Sequence, residues 1–184
     1  MKIPVVGFDP SLRNWGIAES MLDLDTGYLD TPVLSIVETV DLTGKQVRNN
    51  SNDLHIAEQL ATGAIPAAKR AKAIFVEVPV GSQTARAMAS YGVCVGVLGA
   101  IRSLGIPLIE VTPTEVKLAF TGKKTATKEE MIAEAIKLYP QANFPNQRGR
   151  ITAKAEHVAD AIASIHAGVN TPMFQNLLRL FSGV

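Results

Sequence analysis

Cysteine is almost missing from this chain: Cys94 stands alone among 184 residues. No internal disulfide can form, so the fold has to rest on its core. Cys94 lies in an apolar stretch and reads as a small core residue, which suits a reducing cytoplasm. Net charge is nearly missing too, at +1, and by itself points to no particular partner. Long apolar runs are lacking. Glycines and charges interrupt each one before bilayer-spanning length, so no membrane span is expected. One lysine and a short apolar run ahead of Asp9 predict no signal peptide. There is no internal repeat and no low-complexity segment. What is present is an ordinary globular composition, 47% hydrophobic and 19% charged. At this length one domain over 1–184 is expected, with a real core.

Charge is uneven along the chain. Glu19, Asp23, Asp25 and Asp30 occur without a base among them, whereas Lys117, Lys123, Lys124 and Lys128, then Arg148, Arg150 and Lys154, gather later. A neutral protein with a basic strip can bind nucleic acid. A solvated lysine-rich face is the commoner reading of any one such cluster.

Apolar patterning predicts strands at Ile3–Asp9, Trp15–Leu24 and Val33–Leu42, with Asp25-Thr26-Gly27 as a turn, giving an antiparallel meander. Asn52 or Asp53 is expected to cap a helix running to about Lys72. Ala73–Val78 has the fully apolar look of a buried parallel strand. Ser82–Leu104 reads as a long helix, Pro107–Val111 as a fifth strand. Thr112 and Pro113 open a short helix. Thr127 opens another, with Glu130 completing a capping box. An irregular loop is expected over Tyr139–Arg150, a last long helix over Thr152–Val169 and a short one around Leu177–Phe181. The expected architecture is α/β: a five-stranded mixed sheet, three-stranded antiparallel meander then parallel strands, with helices on both faces.

Three acids sit where this order would bring them together. Asp9 ends the first strand of "IPVVGFDPSLRNWGIA". Glu77 lies near the end of "AIFVEVPV". Asp160 lies in the apolar helix "AEHVADAIASIHAG", with His157 three residues before it and Glu156 four before it. Burying a carboxylate is costly unless it is paired, hydrogen-bonded or bound to metal. Mg²⁺ wants oxygen donors and commonly takes a few carboxylates plus water, and a pair of such ions can drive phosphodiester hydrolysis. Each acid also has a plainer reading: Asp9 as a turn residue before Pro10, Glu77 as a strand end, Asp160 as a partner of Lys154 or His157. The metal reading rests on all three recurring in this order.

Four segments in order, "VGFDPSLRNWGIA", "IFVEVPVGSQTARAMASYGVCVGVLGAI", "VTPTEVKLAFTGKKTATKEEM" and "EHVADAIASIHAG", resemble the RuvC-type Holliday junction resolvases. The likeness runs over roughly residues 3 to 168 and suggests a phage or prophage version. It implies a ribonuclease H-like fold, a homodimer, Mg²⁺ or Mn²⁺, and symmetric nicking of four-way DNA junctions in the cytoplasm of a bacterial or phage-infected cell. Asp9, Glu77 and Asp160 match the family's metal-binding acids. His157 stands where an aspartate is common, and an imidazole can also ligate metal or move protons. Adjacent Glu156 is expected about 100° away around the helix. Val80 falls near a position where an aromatic contacts bases in cellular members.

On that reading Lys117, Lys123, Lys124 and Lys128, with Arg13 and Arg86, bind backbone phosphates. Lys124 is the lysine expected to offset charge developing at the scissile phosphate. Helix 82–104 is apolar all round, so one face would cover the sheet and another, with Gly92, Gly96 and Gly99, would meet a second copy. A fold-mate cutting another branched or hybrid nucleic acid and a non-catalytic DNA-binding relative are the alternatives. An actin-like ATPase would need a second glycine-rich phosphate loop and about twice the length.

Overall fold

The computed structural model describes residues 1–79, 81 and 84–182. Val80 and Ser82 therefore lie outside the described residues. Strands β1 (Lys2–Asp9), β2 (Asn14–Asp23) and β3 (Val33–Glu38) form the antiparallel meander. Helix α1 (Asn49–Arg70) then leads into β4 (Ala73–Glu77), and α2 (Ala85–Arg102) into β5 (Leu108–Val111). Both β4 and β5 run parallel to β1, and the sheet order is β3-β2-β1-β4-β5. Helices α3 (Pro113–Thr121) and α4 (Lys128–Leu138), a hairpin of β6 (Asn146–Gln147) and β7 (Arg150–Ile151), and helices α5 (Ala155–Gly168) and α6 (Pro172–Ser182) complete the order.

Strand alternation sorts the core into two layers. Val6, Phe8, Ile74 and Val76 face Ile56, Leu60 and Ala64 of α1 and Cys94, Val97 and Leu98 of α2. Val5, Ala73 and Phe75 face the other way, onto Val158, Ile162 and Ile165 of α5. Burial of each such branched side chain stabilises the fold by about 1.5–3 kcal/mol. Helix α5 is seated unusually low. A Cβ at Gly7 would overlap the carbonyl oxygen of Ala161, and one at Gly16 would overlap that of His157.

The expected sheet and the helices on both faces are all present, and several boundaries differ. β3 stops at Glu38 instead of Leu42 because side chains take over its backbone partners. The Gln59 side chain accepts from Val40 N–H at 3.0 Å, and that of Asn52 accepts from Leu42 N–H at 2.8 Å. With Asn52 so engaged and Asp53 bound to Arg86, neither caps α1, which starts earlier, after Arg48. α2 starts at Ala85, capped by the Thr84 side chain, and only one of its faces is buried. The capping box of Thr127 and Glu130 forms as read, and Thr112 with Glu115 makes a second. α5 begins at Ala155, three residues later than expected, and α6 is longer than expected. The β6–β7 hairpin was not legible. Its turn places Arg148 at φ 53° and Gly149 at φ 78°, and arginine is not the residue that such a turn announces.

Candidate active site

Parity aims the strand carboxylates. Asp9 continues the Val5, Gly7 series of β1, and Glu77 the Ala73, Phe75 series of β4, so both project toward α5. The strands are in register, with Phe8 opposite Val76, so the two acids leave the sheet side by side. Gly16, the cross-strand partner of Asp9, lets the backbone of His157 rest on the sheet. His157 Nδ1 then donates to Asp9 Oδ2 at 2.8 Å; a carboxylate only accepts, which assigns the proton to Nδ1. Asp160, one turn on, lines the same cavity, whose volume is about 490 Å³.

The cavity concentrates negative charge where water is scarce. Burial, then the charge of Asp9, pushes the Glu77 carboxyl up to about 7, with Lys117 opposing. Burial and the charges of Asp9, Glu77 and Glu156 push Asp160 up to about 7. Asp9 is raised by burial as well, with its His157 hydrogen bond pulling the other way. For His157 burial acts downward, but the Asp9 bond and the charges of Asp9, Glu156 and Asp160 together raise it. The three carboxyl shifts come first from burial and then from neighbouring negative charge, and the His157 shift from the acids around it.

A divalent cation would offset that negative charge. Among the described residues no three His, Cys, Asp or Glu side chains are close enough to wrap one ion. A closed zinc-type cage is therefore not formed here. The donors are oxygen-rich and only partly buried, which fits Mg²⁺, an ion that keeps several waters and uses one or two carboxylates.

The remaining expected residues separate into groups. Glu156 does not point away from the site: it lines the cavity, accepts from Lys128 Nζ at 2.7 Å and lies 3.5 Å from His157 Nε2. Lys128 lines the cavity, and Lys117 is near enough to act on Glu77. Lys123 instead binds Glu130 at 2.6 Å and faces a separate hollow beside α4. Lys124 is exposed and outside the cavity lining. Arg13 is engaged by Asp41 at 2.8 Å and Arg86 by Asp53 at 3.0 Å. His166, also on α5, belongs to the core, where its Nε2 lies 2.7 Å from the Tyr139 hydroxyl. Sequence reading missed Tyr91, which lines the cavity with Pro10, Pro79 and Pro113; an aromatic inside an apolar helix gave no signal of its own. The apolar cavity of about 390 Å³ at the opposite end of the sheet is lined by Met1, Ile3 and Phe174 among others and has no acid in its lining.

Two solved structures match this arrangement along nearly its whole length. Thermus thermophilus RuvC superposes with a TM-score of 0.62 at 19% identity, covering 98% of this chain and 96% of that one. The fold is the RuvC fold. A second structure, T. thermophilus RuvC in complex with Holliday junction substrate, gives 0.64 at 18% identity, over 90% of this chain and 92% of that one. The sheet order and two-faced helix packing thus belong to the ribonuclease H-like α/β class, as the RuvC resemblance implied. In sequence, a segment of 38 residues is 53% identical to the crossover junction endodeoxyribonuclease RuvC of Anaeromyxobacter sp. (strain Fw109-5). That segment is 21% of this chain and spans 18% of that relative. No protein-family model matches the chain. Among the described residues, no helix is long and apolar enough to cross a membrane.

Proposed function

We propose that this chain is a metal-dependent crossover junction endodeoxyribonuclease that nicks four-way DNA junctions by phosphodiester hydrolysis. The lining of one cavity by Asp9 and Glu77 from the sheet and Asp160 from α5 carries this reading. Its substrate comes from the likeness to a RuvC described in complex with a Holliday junction. Bound at this site, Mg²⁺, or Mn²⁺ in its place, supplies water activation and neutralises charge at the phosphate.

The chain's own residues hold, orient and neutralise. Asp9, Glu77 and Asp160 provide the oxygen donors. To hold a cation, Glu77 and Asp160 would have to give up protons that burial favours up to about pH 7. His157 fixes the Asp9 carboxylate through Nδ1–H, which leaves Nε2 with the lone pair that could ligate. Lys128 leaves Glu156 for the phosphate, Lys117 supports it, and Lys123 and Lys124 serve the flanking backbone. Arg13 and Arg86 join only by leaving Asp41 and Asp53. Pro10, Pro79, Pro113 and Tyr91 give the sugar an apolar rim to pack on.

Two symmetric nicks need two sites. The exposed face of α2, with Met88 48% and Val95 46% exposed and open space above Gly92, Gly96 and Gly99, is the surface through which two copies pair in this reading. Its place of action is the cytoplasm of a bacterial or phage-infected cell. The deciding assay offers a synthetic four-way junction, a duplex and an RNA–DNA hybrid with Mg²⁺. Paired nicks in the junction alone support the proposal. Cutting of the hybrid instead, or binding without cutting, rejects it.

A further inference from the structure

The β6–β7 hairpin is a charged projection that the carboxylate site does not use. All six residues from Asn146 to Ile151 are exposed. Its base is fixed: Phe144 is buried, Asn146 Nδ2 donates to the Phe144 carbonyl at 3.3 Å, and Thr152 N–H donates to Pro145 O at 3.0 Å. From Ile151 the chain runs within four residues into α5, which carries His157 and Asp160. The ribbon is therefore a short, anchored arm that leads into the helix carrying Glu156, His157 and Asp160 of the cavity lining.

Its two arginines differ from most others in the chain. Arg13, Arg70, Arg86 and Arg102 each bind a carboxylate. Arg148 and Arg150 have no ion pair among the described residues. Arg148 also holds a left-handed backbone, φ 53°, where a two-residue hairpin turn favours Asn or Gly. A residue that breaks its local rule without a packing gain is what a functional contact looks like. Arginine forks bind phosphate oxygens bidentately, and a two-stranded ribbon is narrow enough to approach a DNA groove.

We propose that the β6–β7 hairpin grips a DNA arm flanking the carboxylate site, with Arg148 and Arg150 on backbone phosphates. This rests on the nuclease reading above and extends it to a second contact surface.

The test compares the wild-type chain with the double variant Arg148→Asn, Arg150→Gln. The asparagine suits the turn, so the fold is retained and Tm should not fall. Binding to a four-way junction is measured in Ca²⁺ across a salt series. Loss of two phosphate contacts should lower the slope of log K against log salt by about 1.8 and weaken binding on the order of tenfold at 0.1 M salt. An unchanged slope, with affinity within twofold of wild type, overturns the hairpin contact alone. A wild-type chain that does not bind the junction overturns the nuclease reading, which is a separate result.

Discussion

Gly16 and His157 touch through backbone: a Cβ at position 16 would overlap the His157 carbonyl oxygen. Gly16 also pairs across the strand with Asp9, the residue that His157 binds. Together with Gly7, this glycine sets the height of α5 over the first carboxylate. Gly16→Ala should lift the start of α5 and cost about 1–3 kcal/mol, as overpacking does. Nicking should fall further than the stability loss explains, read by comparing Tm with single-turnover rates well below it. Full activity in a destabilised Gly16→Ala protein would remove this glycine from the site's geometry.

His157 holds Asp9, and in the proposed reading it also serves as a ligand, which only its neutral form can do. Its pKa is raised by Asp9 and its neighbours, so activity should fall as pH drops through and somewhat above the ordinary histidine range near 6.5. His157→Asp should retain Mg²⁺-dependent nicking with a weaker acid-side loss, and His157→Ala should lower the rate with binding intact. Rate–pH profiles of the three proteins that superimpose would make His157 a bystander.

Asp160 predicts a stability effect that needs no substrate. Its folded pKa of about 7 lies above the ordinary value of 3.8, so the metal-free folded state holds this proton more tightly than the unfolded state does. The stabilisation is complete below pH 4 and is lost as pH rises through 7. At pH 8 Asp160→Asn should therefore be more stable than wild type without metal, by roughly 2–4 kcal/mol. Mg²⁺ should raise the Tm of the wild type and do much less for the variant. Equal stability of the two proteins at pH 8 and an equal Mg²⁺ response would contradict the frustrated-carboxylate account.

For pairing through α2, Val95→Asp puts a charge in the centre of the exposed apolar face. Light scattering should give twice the chain mass for the wild type and one chain mass for the variant. A wild type that is monomeric at assay concentration would leave α2 without this role.

Much of the site was legible because strand parity and helix spacing are local rules. A carboxylate at the end of an apolar strand, and another amid alanines on a helix, announced themselves by cost. Glu156 was misplaced because angle around a helix axis says nothing about how far a cavity wraps its first turn. The lysines did not form one strip, since Lys123 finds Glu130 seven residues on, a pairing set by the loop into α4 and not by sequence spacing. The hairpin stayed hidden because Arg148 occupies a backbone region that sequence rules reserve for other residues.

In the proposed reading Asp9, Glu77 and Asp160 act as one metal-dependent nicking site. Single-turnover cleavage of a four-way junction in Mg²⁺, with binding measured in parallel, tests it directly on Asp9→Asn, Glu77→Gln and Asp160→Asn. Each variant should bind the junction as the wild type does and lose at least a hundredfold in rate, the order of effect seen when a single charge-stabilising group is removed. Near-normal nicking by any two of the three would contradict the account.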